Sequence, residues 1–508
     1  MSGQAAAPSG ARAWAGMAML ALPTFLLGLD VTMLYLVMPA MAEDLAPSAT
    51  QTLWIMDAYG FLLAGFLVTM GTLGDRVGRR RLLMVGIAAF AVVSLLAAFA
   101  QSAELLIAAR ALLGIAGATL MPSTLSLVSN MFPDPRQRAV AIGVWATLFA
   151  GGMAAGPIVG GVLVDSLWWG AAFLVAVPIA IVVLLLGRAV LPEYRDPGGG
   201  RIDLISVALS LTAILPIIYA IKHIAGHGPN VSAVVAAMVG VVAGAVFWRR
   251  QRCLDDPLVD VTLFRNKAFS VALAVLLIGL VGVGGSMYLV TQYLQLVEGL
   301  DPFVAGLWMG PPALAMFGAA IGAPLLARRI RPGYVMGGSL AISLIGYVLL
   351  ATAGLNDELT VAAGFAFVYL GLGAIAALGT DIVVGAAPAS KSGSAASLSE
   401  TVQELGIAIG VATLGSLTAA IYRSQLSIPE SLSEEEGAAL VDGLTTATAI
   451  DDELPAGTLV EAQQAFTMGL NVASAVAGIA IAVVTAFCLR MLGHVPRLDQ
   501  VHQQDPAS

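Results

Sequence analysis

Apolar runs of about 20 residues recur along the whole chain, and no other feature limits its fold so tightly. Each is continuous rather than alternating, so it has the length of a bilayer-crossing helix and not the period of a half-buried strand. The composition agrees: of 508 residues, 58% are hydrophobic and 11% charged, with a mean hydropathy of +0.90. A soluble domain carries about 25% charged residues. Lipid admits only helices and closed barrels, because every backbone polar group must be paired within the protein. The chain therefore reads as an all-α polytopic membrane protein.

Fourteen such segments are expected, near residues 14–38, 51–73, 82–100, 105–129, 139–163, 170–191, 203–222, 231–248, 268–291, 303–327, 333–353, 358–384, 396–422 and 467–490. Basic residues set their orientation. Of the 24 Lys and Arg, three lie elsewhere (Lys222 and Arg423 at outer ends, Arg110 within a span) and the other 21 share one face. That face is expected to be cytoplasmic, with both termini on it. Arg12 precedes a long apolar run without a small-residue cleavage site, which predicts an uncleaved first span rather than a signal peptide. The net charge of −8 owes much to residues 424–466, which hold nine acids and no Lys or Arg. This segment falls outside, where SLSE at 431 and TLVE at 458 predict two capped helix starts. Cys253 and Cys488 fall near cytoplasmic ends and are expected as free thiols.

The chain repeats itself. GTLGDRVGRRR at 71–81 has a worn counterpart in GAPLLARRIRP at 322–332, and the same offset carries the glycine-rich fifth span onto the thirteenth. Spans one to six then match nine to fourteen, around an inserted pair. The expected organisation is a six-helix bundle at 12–192, two linker helices and a loop at 193–266, and a second bundle at 267–494 with its acidic outer loop at 423–466. Two like halves make a transporter plan, and no span offers the continuous polar lining of a channel.

Charge inside a membrane is costly and marks function by default. Asp30 in the first span and Asp57 in the second lie roughly 12 Å and 10 Å from their outer ends, and Arg110 in the fourth about 8 Å. Consecutive helices thus bring carboxylates to similar depth. The alternatives are a structural ion pair, or an Asp57 that reaches outer water. On the thirteenth span, SLSETVQELGIAIG sets Glu400 and Glu404 one turn apart on one face. Either could carry transport, Glu404 being the deeper, or both could be helix-start chemistry. Asp381 is a weaker candidate near the inner interface. Met33, Tyr35, Trp54 and Tyr59 stand beside these acids. Such side chains adapt to apolar ligands and attract cations, although they equally suit plain packing. In GGMAAGPIVGG, small residues at every fourth position let helices pack backbone to backbone, and Pro157 removes a hydrogen bond from the helix.

Enzyme chemistry finds no foothold. The chain has three lysines, Lys222, Lys267 and Lys391, and none follows a glycine, so there is no P-loop. HIAGH at 223–227 has the spacing of a metal pair without the glutamate of a zinc peptidase. There is neither a nucleophile elbow nor a CxxC pair.

Several stretches together resemble the major facilitator superfamily, in its fourteen-helix drug:proton antiporter branch and closest to the bacterial quaternary-ammonium exporters. GTLGDRVGRRR is similar to the loop signature after helix two, through Gly71, Asp75, Arg76, Gly78, Arg79 and Arg80. GMAAGPIVGG resembles the antiporter motif, through Gly152, Gly156, Pro157, Gly160 and Gly161. RALLGIAGA from Arg110 and LDVTMLYLVMP match the helix-four and helix-one motifs, and LWIMDAY and the acidic loop fit as well. The resemblance implies a major facilitator fold of two six-helix bundles plus two inserted helices. It implies that Asp75 and the arginines latch the bundles together on the cytoplasmic side, with Gly74 and Gly78 permitting a tight turn. It implies too that Asp30, Asp57, Glu400 and Glu404 bind a cationic drug in exchange for protons; burial raises a carboxylate's pKa, which brings such exchange toward neutral pH.

The expected function is proton-coupled multidrug efflux of lipophilic cations such as quaternary ammonium compounds and ethidium, by alternating access. MGPPALAMFGAAIG at 309–322 lacks the acid that related exporters use for divalent cations, so monovalent ones are expected to be favoured. No cofactor, metal, nucleic acid or obligate protein partner is expected, only lipids, protons and the cargo, for a monomer driven by the proton gradient. The rival readings are export of a native metabolite or lipid-like compound, and a non-transporting membrane sensor.

Overall fold

In lipid, a run of apolar residues must satisfy its backbone internally, and the chain does so as helix after helix. The computed structural model describes residues 10–132, 135–195, 203–227, 230–254, 257, 261–386, 392–429 and 431–493, with no strand among them. The side chains of Asp57 and Asp75 lie outside what it describes. In chain order the α-helices are α1 (Gly10–Leu45), α2 (Ala49–Val77), α3 (Arg79–Ala98), α4 (Ala103–Met131), α5 (Pro135–Ser166), α6 (Ala171–Leu174), α7 (Ala176–Val190), α8 (Leu204–His227) and α9 (Val231–Gln251). There follow α10 (Lys267–Gln292), α11 (Pro302–Trp308), α12 (Gly310–Ala327), α13 (Pro332–Ala351), α14 (Glu358–Gly385), α15 (Ser392–Gln425), α16 (Glu434–Asp442), α17 (Leu444–Ala449) and α18 (Thr458–Leu492). Among the described residues, 12 helical stretches are long and apolar enough to cross a membrane.

Short polar residues set the starts, by accepting from otherwise unpartnered N–H groups. Ser48 and Gln51 cap α2 reciprocally, at 3.2 and 2.9 Å. Asn230 accepts from Ala233 N to start α9, and Asn266 from Ala268 N to start α10. Two capping expectations need correction. The box that starts α16 is Ser433 with Glu436, two residues beyond the SLSE pattern, since Ser433 is the residue that precedes the first helical turn. Thr458 caps nothing: it is already helical, and Gly457 precedes it in the left-handed region at φ 91°. The 71–81 stretch is also less of a turn than its glycines suggest. α2 runs on to Val77 and Gly78 alone divides it from α3, at φ 114°, a conformation that side chains resist. Gly74 is helical, and a Cβ there would stand 2.9 Å from Arg79 Cδ.

Packing repeats as the sequence does. In the first half α1 lies on α5, α2 on α4, and α3 on α4 and α7; in the second, α10 lies on α15, α12 on α14, and α13 on α14 and α18. Between halves, α2 meets α15 and α5 meets α11 and α12. The helices α8 and α9 pair with each other, and α8 also covers α2 and α15, its Ile214 and Leu215 packing on Phe61, Ala408 and Ala412. Arg250 closes that hairpin on Asp203 with two 3.0 Å bonds.

Candidate functional site

Three helices of the first half meet on one guanidinium. Arg110, two turns into α4, donates from Nη1 to Asp30 Oδ2 of α1 at 3.2 Å and from Nε to the Ile55 carbonyl of α2 at 3.3 Å. Its planar group lies 4.5 Å from the centre of the Tyr59 ring. Asp30 is 5% exposed and Arg110 2%. Desolvating two charges costs several kcal/mol each, and only close geometry with further hydrogen bonds offsets it. The carbonyl and the aromatic face supply those further contacts.

On the other side of the seam stands Glu404 of α15, 6% exposed. Between them is a cavity of about 30 Å³ lined by Tyr35, Met56, Tyr59, Arg110, Glu404 and Ile407, among others. That is room for one or two waters, whereas a drug-sized ligand needs roughly 300 Å³ or more. The site is therefore closed on itself in this conformation. No hydrogen bond or ion pair holds the Glu404 carboxylate among the described residues, in contrast to Asp30. The Tyr59 hydroxyl is likewise buried without a hydrogen-bond partner there.

The other candidates separate. Glu400 is buried one turn from Glu404 but does not line the cavity. Asp381 is exposed near the end of α14. Tyr35 and Tyr59 line the cavity as expected of pocket residues, while Met33 and Trp54 do not. Met33 is turned against Gly160 of α5, and Trp54 packs on the Phe61, Ala408 and Ala412 cluster under α8. Sequence reasoning overlooked a polar group beside the glutamates. Gln403 donates to Thr380 at 3.3 Å, and Thr380 and Ser399 oxygens lie 3.2 Å apart. Its signal was present in Ser399 and Gln403, at helical spacing beside the two acids.

The glycine motif of α5 serves two neighbours. A Cβ on Gly156 would stand 2.0 Å from Thr32 Oγ1 of α1, whose hydroxyl donates to the Met153 carbonyl at 2.8 Å. Gly152 and Gly160 face α1 as well, through Phe25 and Met33. On another side, a Cβ on Gly161 would stand 2.5 Å from the Pro302 carbonyl of α11, and Gly306 approaches Pro157. One helix thus packs tightly inside its own half and across the seam.

The arginine cluster meets a carboxylate that the resemblance did not name. Arg79 is buried, donating to the Pro122 carbonyl at 3.4 Å. Arg80 meets Glu193, just beyond α7, at 3.5 Å and donates to the Leu191 carbonyl at 3.0 Å. Arg81 approaches the same carboxylate at 3.9 Å, and Arg76 is exposed. These contacts fasten α3 to α4 and to the end of α7, within the first half. The sign of Glu193 was legible in LPEYR, its role as the partner was not.

Cys253 and Cys488 are both free. Among the described residues no group of His, Cys, Asp and Glu could hold a metal ion. His223 lies 2.6 Å from Asn230 Nδ2 and stacks on Tyr219, and the side chain of His227 lies outside the described residues.

The pattern of the Major Facilitator Superfamily matches residues 20–411. The chain belongs to that superfamily. It is 44% identical over 477 residues to the multidrug efflux pump LfrA of Mycolicibacterium smegmatis, covering 92% of this chain and 94% of that one. It is 31% identical over 474 residues to the methyl viologen resistance protein SmvA of Salmonella typhimurium, covering 92% and 96%. It is 31% identical over 493 residues to the tetracenomycin C resistance and export protein of Streptomyces glaucescens, covering 94% and 90%. Among solved structures, a bacterial homologue of the human lysosomal transporter Spinster, inward-facing and unoccupied, superposes with a TM-score of 0.68 at 16% identity over 99% of this chain and 100% of that one. The last likeness is one of fold alone. The chain is a multi-pass carrier of the drug-resistance branch, not an enzyme.

Proposed function

We propose that this carrier exports lipophilic monovalent cations, quaternary ammonium compounds and dyes such as ethidium among them, in exchange for protons. The observation that carries the proposal is Glu404, a buried carboxylate without a hydrogen-bond or ion-pair partner among the described residues, facing the Asp30–Arg110–Tyr59 group across the seam between halves. A buried anion is tolerable only when neutralised, so Glu404 holds either a proton or the cargo's charge. Asp30 fixes Arg110 and with it the wall of the site, while Glu400, one turn from Glu404, and Asp57 of the second span share in the exchange.

In this reading fourteen helices span the bacterial inner membrane, as bundles at 12–192 and 267–494 around the 193–266 pair. Both termini and the arginine cluster are cytoplasmic, and 423–466 is outside. α5 is the seam on which the bundles rock, through Gly161 and Pro157. Asp75 and the arginine cluster brace the cytoplasmic ends, and no obligate protein partner is needed. The relatives named for multidrug efflux and for methyl viologen support a quaternary cation as cargo; methyl viologen carries two charges, so the narrower monovalent class rests on 309–322 having no acid. The relative named for tetracenomycin C export favours a second reading, export of a native metabolite by the same cycle.

Ethidium efflux from whole cells, with and without a protonophore, tests the proposal. Wild type should lose efflux on collapse of the gradient, and Asp30→Asn should lose it at equal expression. A wild type that moves no cationic dye yet exports a neutral compound would give the metabolite reading its place.

A further inference from the structure

A second cavity lies at the opposite end of the seam from the arginine cluster, beneath α16 and α17. It encloses about 80 Å³ against about 30 Å³ for the central one. Its walls come from both halves: Thr52 and Leu53 of α2 on one side, α10, α15 and α18 on the other, and residues 442–446 as a roof. The roof is built to stay. Tyr422 donates to the Leu440 carbonyl at 2.9 Å, Thr446 to the carbonyls of Ala439 and Gly443 at 2.5 and 2.7 Å, and Leu440, Leu444 and Ala447 are buried. α17 rests on α1 as well as on α18, so the roof bridges the halves.

The lining has one electrical sense. Asp442 is the charged residue of its described lining, with no Lys, Arg or His there, and Tyr288, Tyr422 and Phe466 supply aromatic rings. Two buried polar atoms on this wall, Gln292 Oε1 and Thr418 Oγ1, find no hydrogen-bond partner among the described residues. Gln292 is 3% exposed and Thr418 2%. Buried oxygens are ordinarily paired, and an unpaired one costs about 1–3 kcal/mol. Oxygens without donors, a carboxylate and aromatic rings together suit a positive group that brings either N–H donors or polarised N-methyl groups.

We propose that this vestibule is a second binding site, for an organic ammonium head, which cargo occupies after leaving the central cavity. The cargo class rests on the proposed function; the site itself rests on Gln292, Thr418 and Asp442. It shares no lining residue with the Glu404 cavity.

The test is equilibrium dialysis of radiolabelled benzyltrimethylammonium against the full-length protein in lipid nanodiscs. Wild type should bind two equivalents. Asp442→Asn and, separately, the near-isosteric Thr418→Val should each weaken one equivalent by about tenfold and leave the other. Glu404→Gln should remove the other equivalent and leave this one. A wild type that binds a single equivalent, lost in Glu404→Gln, overturns the proposal, as does a second equivalent indifferent to both vestibule variants. Nanodiscs of phosphatidylglycerol and of phosphatidylethanolamine separate the two sources of the head group. Equal counts assign the site to free cation; a second equivalent seen only in phosphatidylglycerol assigns it to a lipid's ammonium. If the vestibule binds while cells show no proton-driven dye efflux, the proposed function fails and this site stands.

Discussion

The two halves of this carrier repeat each other in helix packing yet treat buried charge in opposite ways. In the first half Asp30 is paired with Arg110, and the pair is further held by the Ile55 carbonyl and the Tyr59 ring. In the second, Glu404 is as deeply buried and has no described hydrogen bond or ion pair. A fully contacted pair is a fastener, because breaking it leaves a bare charge in a dry place. An unpaired carboxylate is the group that can trade one positive charge for another. On the proposed function the first half uses its acid for structure and the second for exchange, although both acids read alike as intramembrane charges.

The assignment breaks most readily at the fastener. Arg110→Met should destabilise the purified protein by about 3–5 kcal/mol, seen as a lower unfolding temperature, with partial recovery in Arg110→Met plus Asp30→Asn. If the single variant unfolds with wild type, the pair fastens nothing. Smaller is the effect expected at the seam. Gly156→Val would drive a side chain into Thr32, and overpacking of this kind costs about 1–3 kcal/mol; dye efflux should fall with it, while an unchanged rate would free α5 from any part in the motion. Weaker again is Glu193→Gln, since that pair is part-exposed at 3.5 Å. A loss within about 0.2–1 kcal/mol is expected, with faster hydrogen exchange at the start of α3 rather than in the second half. Exchange rising in the second half instead would restore the arginines as a latch between halves.

Much of this was legible in the sequence, and the omissions have a pattern. The apolar runs determine helices because lipid leaves no other choice, and Asp30, Arg110, Glu400 and Glu404 stand out because charge is scarce there. Pairing is another matter. Asp30 and Arg110 are 80 residues apart, and only the approach of α1 to α4 tells that one acid has a partner and another has none. The same holds for Glu193, 113 residues from Arg80. Met33 and Trp54 lie away from the closed cavity, because helical periodicity says which residues share a face, not which neighbour that face meets. Capping errors at Ser433 and Thr458 came from a four-residue pattern that fits several registers.

The smallest effect concerns the roof. Hydrogen bonds from the Ser433 backbone and hydroxyl hold the Glu436 carboxyl below its usual range. A depressed carboxylate stabilises α16 above its unfolded pKa, and that contribution fades as the pH falls through the lowered value. Hydrogen exchange over 431–442 should therefore quicken on acidification, and Glu436→Gln should flatten the dependence.

The central claim, that Glu404 is the carboxyl that exchanges its proton for cargo, is most directly tested by proton release. Ethidium is added to purified protein in a weakly buffered solution with a pH-sensitive dye, for wild type, Asp30→Asn and Glu404→Gln. The account predicts release from wild type and none from Glu404→Gln. Undiminished release from Glu404→Gln, lost instead in Asp30→Asn, would contradict it and move the exchange to the paired half.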